Sequence, residues 1–223
     1  KTTVGSRQFI KMSSPALTIK QILLGLSLSL FLSACGTAPS LQRYDFASAN
    51  SSSVESANAA NGKLQSKTLL LSDLRVPAQL DGDAMLYRLN YENPQELRAY
   101  AQNRWSASPA QLLAQTIKQT INREGGNVAN AGDGVRDLPQ IRIELEEFAQ
   151  HFSRIDQSQA QIQLRVSLIH KNQLLAQQQF KCSSKAVSAD AKGGAQAMAK
   201  ASQDIADQLV AWLQIQLASA KMR

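Results

Sequence analysis

Covalent or proton-transfer chemistry in this 223-residue chain has few side chains to work with. They are two cysteines, Cys35 and Cys182, two histidines, His151 and His170, and one run of carboxylates at Glu144, Glu146 and Glu147. Two histidines without cysteines or carboxylates at ligand spacing cannot build a zinc-type site, which takes three or four ligands. His151 falls at the end of a polar-faced strand pattern and His170 at a turn, so both read as surface side chains. Glu144 and Glu146 share the polar face of that strand, and without an apolar pocket nothing lifts a carboxyl toward the range a general acid needs. Gly125-Gly126 and Gly132-Asp133-Gly134 are followed by neither Lys-Ser nor Lys-Thr and open no helix. They read as a loop between helix and strand rather than a phosphate cradle. Cys182 shares parity with Leu174, Ala176 and Phe180 in a strand-like run, which points it at the core as a small hydrophobe. The expectation is a non-enzyme with no catalytic set, no metal and no cofactor.

Cys35 is the exception. Lys11 and Lys20 precede a short apolar run, residues 22–31, which passes straight into Leu32-Ser33-Ala34-Cys35-Gly36. A basic lead, an apolar core and small residues at a cut site are the parts of a secretory signal peptide. Leu-Ser-Ala-Cys resembles the lipobox of bacterial lipoproteins, which implies diacylation of the Cys35 thiol, cleavage before it and acylation of the new amino group. Residues 22–34 number 13, too few to cross a bilayer core that takes roughly 20. Two or three acyl chains hold a protein on a membrane stably, where one chain binds only reversibly. Gly36 in place of an acidic residue resembles sorting to the periplasmic face of the outer membrane, with the inner membrane as the lesser alternative.

Since Lys1 is no start residue, Met12 is the candidate initiator, and residues 1–34 read as the signal peptide. With Lys1, Arg7, Lys11 and Lys20 removed, the 24 basic residues fall to 20 against 17 acidic ones, a net of +3 in place of +7. That balance is too weak and too scattered to argue for nucleic acid. Acylated Cys35 would leave Cys182 without a partner, so no disulfide is expected.

Residues 35–66 read as a lipidated N-terminus and flexible tether, because 47–66 are almost all Ser, Ala, Asn and Gly and cannot bury enough apolar surface to order themselves. Residues 67–223 are then one domain, long enough for a real core. Within it 68–76 reads as a buried strand stopped by Pro77, and Asp81-Gly82-Asp83 as a turn. A second strand over 84–89 would form a hairpin with the first or stand near it. Ser108-Pro109 is an N-cap with proline at the first helical position, and Leu112, Leu113, Ile117 and Ile121 make one apolar stripe. From Pro139 the period becomes two: Ile141, Ile143 and Leu145, then Ile162, Leu164, Val166 and Leu168, with 170–173 as a hairpin turn into 174–182. Met198, Ile205, Leu209 and Leu213 mark a long amphipathic helix over 191–220. The fold class is α/β: a mixed, largely antiparallel sheet packed by two or more helices in a two- or three-layer sandwich.

Val76-Pro77-Ala78-Gln79-Leu80-Asp81-Gly82, then Met85-Leu86-Tyr87-Arg88, then Trp105-Ser106, all after Tyr44-Asp45-Phe46, resemble the ABC-type transport auxiliary lipoproteins, the family that includes the PqiC-like proteins. The resemblance runs from Tyr44 to the C-terminal helix. It implies an α/β sandwich and no catalysis. It also implies a role in lipid transport beside an MCE-domain periplasmic protein, a permease and an ATPase, and it leaves a homo-oligomer open. Tyr87, Arg88 and Trp105 are the candidate partner contacts, against packing at the core edge. The alternative function is a lipoprotein regulator of an envelope or peptidoglycan enzyme.

Overall fold

The computed structural model describes residues 40–46, 64 and 67–219. The chain divides into Lys1–Ser40, of which Ser40 alone is described, and a compact unit Leu41–Arg223. The compact unit runs β1 (Gln42–Tyr44), β2 (Thr68–Leu71), β3 (Ala84–Leu89), β4 (Arg98–Trp105), α1 (Pro109–Arg123), β5 (Asn127–Asn130), β6 (Gln140–Arg154), β7 (Gln157–His170), β8 (Gln173–Lys185) and α2 (Ala191–Ser219). The eight strands form one mixed sheet, curled into a half-barrel.

β6 is its spine. One edge pairs antiparallel with β7 along nearly its whole length, and β7 pairs antiparallel with β8. The other edge is divided between two short strands, both parallel to β6. β2 sets Leu71 opposite Ile141, and β3 sets Tyr87 opposite Gln150. The expected hairpin of β2 with β3 is therefore corrected. After an isolated bridge from Arg75 to Glu144, Pro77 has no N–H to donate, and a 3-10 turn, Ala78–Leu80, carries the chain off the β6 edge before it returns as β3. β4 pairs antiparallel with β3, and β1 pairs parallel with β4. β5, expected as loop, pairs parallel with β2. Four pairings are parallel and three antiparallel, but two of the antiparallel ones, β6–β7 and β7–β8, are much the longest.

Period two builds β6 and β7, with Ile141, Ile143, Leu145, Ile162, Leu164, Val166 and Leu168 all buried. A bulge between Leu145 and Glu147 shifts the phase of β6. Beyond it Phe148, Gln150 and Phe152 face inward, and Glu147 joins Glu146 on the outer face. α1 opens on a capping box: Ser108 Oγ accepts from Gln111 N while Gln111 Oε1 accepts from Ser108 N. Gly125 at φ 78° follows its last turn. α2 is capped by Asp190, whose Oδ1 accepts from Gly193 N at 2.7 Å. Its first turns are small (Gly193, Gly194, Ala197, Ala201), so the helix lies close to the sheet, and its later turns bury Ile205, Leu209, Leu213 and Leu217. Both helices share this core while the opposite face of β6–β8 carries polar side chains, giving two layers among the described residues.

The domain boundary at Lys67 is also corrected. β1 belongs to the sheet, and Phe46 packs against Trp105 and Phe148. Leu64 is buried 2.8 Å from where a Gly126 Cβ would stand, its N–H donating to Glu124 O at 2.9 Å. The rest of the expected tether, 47–63 and 65–66, lies outside the described residues.

Candidate functional site

Of the three candidate contacts, β3 separates two by alternation. Tyr87 turns inward, its ring 4.7 Å from that of Tyr100 and 5.9 Å from that of Phe152. Arg88 turns to the outer face, where its Nη2 lies 3.4 Å from Glu147 Oε2 and its Nη1 donates to the Pro94 and Gln95 carbonyls. Trp105 is corrected as a contact. It is 2% exposed and edge-on to both Phe46 and Phe148, so no partner can touch it.

Around Arg88 the outer face carries an ordered set of charges. Glu147 Oε1 is 3.5 Å from His151 Nε2, and Asn90 Nδ2 lies 3.4 Å from His151 Nδ1. With the Asn90 amide donating to Nδ1, the ring proton sits on Nε2, which lies near Glu147 without a hydrogen bond to it. His151 was expected at the surface. Its side chain is only 11% exposed, because β3 lies alongside and sets Arg88 opposite it on the same face. Burial alone would raise the Glu147 carboxyl, but the neighbouring His151 and the Arg88 charge outweigh it and hold Glu147 below the usual carboxylate range.

Farther along the same face Glu146 accepts from Gln163 Nε2 (2.8 Å), Gln179 Nε2 (2.6 Å) and Arg165 Nη2 (2.7 Å), which binds three strands together. Those donors, Gln163 first, hold Glu146 low as well. Both carboxylates are thus kept ionised, the opposite of what a general acid needs.

A cavity of about 250 Å³ lies elsewhere, at the C-terminal ends of β2 and β5 beside α1, lined by Leu71, Ser72, Asp73, Gln111, Lys118 and Asn130. It brings none of the candidate residues together. Cys182 is buried and free, its thiol pushed up by burial, so it packs as expected and resists ionisation. His170 ends β7 with Nε2 3.2 Å from Asp137 O. Among the described residues no cluster of three or more His, Cys, Asp or Glu could hold a metal, and no helix is long and apolar enough to cross a membrane. Cys35 lies outside the described residues.

Sequence reasoning missed the polar knot beneath this face. Gln150 is buried, its Oε1 accepting from Tyr100 Oη at 3.0 Å and its Nε2 donating to Ser158 Oγ at 2.7 Å and to Asp190 O at 3.1 Å. The available signal was Gly193-Gly194 at the start of a helix, a pair that marks close approach.

The model of the ABC-type transport auxiliary lipoprotein component matches residues 49–210, leaving Tyr44-Asp45-Phe46 outside the matched span. Protein XCC0632 from Xanthomonas campestris is similar in structure, with a TM-score of 0.63 at 20% identity over 84% of this chain and 99% of that one. An uncharacterized protein of solved structure superposes with a TM-score of 0.61 at 14% identity, covering 78% of this chain and 99% of its own. At such identities these likenesses show the fold. A comparison with curated proteins returns no match. By the span of the family model, this chain belongs to the ABC-type transport auxiliary lipoproteins.

Proposed function

We propose that this chain is the lipid-anchored docking component of an ABC-type transport system on the periplasmic face of the outer membrane, held by acylated Cys35 and engaging an MCE-domain periplasmic protein without catalysing a reaction. The observation that carries the docking part is the outer face of β6–β8: a broad polar surface, cross-braced through Glu146 and Glu147, with its carboxylates held ionised and none of the candidate residues at the described cavity. A protein partner fits such a face better than a small substrate does. Arg88 remains the candidate contact at the surface, with Tyr87 setting the ring stack behind it.

Capture of the MCE-domain protein by purified protein tests the reading, with Glu146→Lys and Arg165→Glu weakening capture at least tenfold. A domain that captures no such protein but stimulates a cell-wall enzyme at low micromolar concentration moves the assignment to the regulator class. For the anchor, Cys35→Ser should leave the signal peptide uncleaved or release the protein; a cleaved variant that still sediments with outer membrane, without acyl mass, overturns Cys35.

A further inference from the structure

Three connections end at one rim of the sheet. Leu89 pairs with Phe152, Arg154 with Gln157 and Gln159 with Lys185, which sets Tyr91, Ile155 and Val187 at the same end of β3, β6, β7 and β8. With strands a little under 5 Å apart, the three residues span about 15 Å. Ile155 is 81% exposed, Val187 82% and Tyr91 49%. Apolar side chains scattered singly over a surface are ordinary. Here each of three neighbouring connections holds one outward. The Val187 loop is fixed, with Ser188 Oγ donating to Asp190 Oδ1 at 2.8 Å beside the Gly193 cap. Several charges at the rim are paired, Arg154 with Asp156 at 3.6 Å and Arg98 with Glu92 at 3.1 Å and Glu96 at 2.7 Å, while Lys185 is an exposed cation there.

The direction of β1 says what this rim meets. β1 is parallel to β4, β4 antiparallel to β3, and β3 parallel to β6, so the chain entering at Gln42 comes from the side on which β6 ends at Arg154. Cys35 precedes Gln42 by seven residues, which span at most about 25 Å. We propose that the Tyr91–Ile155–Val187 rim rests in the interfacial layer of the bilayer that holds the Cys35 acyl chains, so that lipid is its occupant. Ile155 and Val187 reach toward the acyl boundary, and Tyr91 suits the headgroup level. The inference rests on Cys35 being the anchor. It fixes the orientation of the domain: Leu174, exposed where β8 starts opposite Ile169, points away from the membrane, and the polar face of β6–β8 stands beside it, open to a partner.

The test uses full-length lipidated protein in phosphatidylcholine–phosphatidylglycerol vesicles carrying dibrominated phosphatidylcholine. Native Trp105 and Trp212 are buried and give a constant background. Ile155→Trp and Val187→Trp should show emission quenched about twofold and shifted to the blue, while Leu174→Trp should not. Quenching of Leu174→Trp alone reverses the orientation and overturns the proposal. Unquenched rim variants on protein that floats with the vesicles and carries acyl mass overturn the rim while Cys35 stands; protein that neither floats nor carries acyl mass removes both. If Ile155→Asp with Val187→Asp leaves the melting curve unchanged but abolishes capture of the MCE-domain protein, the rim is a protein site and the proposal falls.

Discussion

Glu147 shows how one side chain ties the outer face to stability. It sits about a fifth exposed between Arg88 and His151, so its ionised form is favoured in the folded protein over the unfolded chain. A carboxyl lowered on folding contributes stability above its unfolded value of about 4.3 and loses it as pH falls through the folded one. Glu147→Gln should therefore cost roughly 1–2 kcal/mol at pH 7 and flatten the acid limb of the stability profile below about pH 4.5, as read by urea melts across pH. An unchanged acid limb would show that the pair adds nothing on folding. Gly194 makes the complementary point on the inner side. A Cβ there would overlap Gln150 Oε1, and Gln150 cannot swing aside without breaking its bonds to Tyr100, Ser158 and Asp190. Although alanine is the better helix former, Gly194→Ala should destabilise by about 2–4 kcal/mol, a value denaturant titration resolves.

Among the elements, what was legible is what repeats. α1 announced itself by Ser108-Pro109 and a four-residue stripe, and α2 by Leu209 and Leu213, because a long helix samples its period several times over. β7 did the same at period two. Leu209 is fully buried in the core, so Leu209→Asp should cost on the order of 3–5 kcal/mol, and an unchanged melting temperature would refute the assignment of that face. What escaped was short or broken in phase. β1 has three residues and β5 four, no more than two turns of a period of two, so neither could declare a period. β6 changes phase at its bulge: continuing the Ile141–Ile143–Leu145 phase would turn Glu147 and His151 toward the core and Phe148, Gln150 and Phe152 outward, the reverse of what the structure shows. Pairing order is a further layer that no local pattern holds: that β2 and β3 share one edge of β6 follows from where β6 ends up in space.

At the scale of the molecule, β1 and Leu64 change how the chain is divided. A start at Lys67 keeps every periodic segment and discards the Phe46 ring, the Leu64 side chain and the strand that covers the edge of β4. Full burial of a leucine contributes about 1.5–3 kcal/mol and the half-buried Phe46 less, so with the lost β1–β4 pairing the total is roughly 5 kcal/mol, as much as the whole stability of a marginal domain. Protein begun at Leu41 should melt about 10–20 °C above protein begun at Lys67, both followed by circular dichroism at equal concentration. Phe46→Ala in the longer protein should fall between them, since it uncovers Trp105 and Phe148 but keeps the β1–β4 pairing. Equal melting temperatures for the two starts would mean that β1 lies on the sheet without supporting it, and the reach of the Cys35 anchor would again be set by the whole of residues 36–66. If instead the shorter protein is the weaker one, only the residues between Cys35 and Gln42 are left to separate lipid from domain, and any effect of deleting 47–63 in cells has to come through β1 and Leu64 rather than through lost reach.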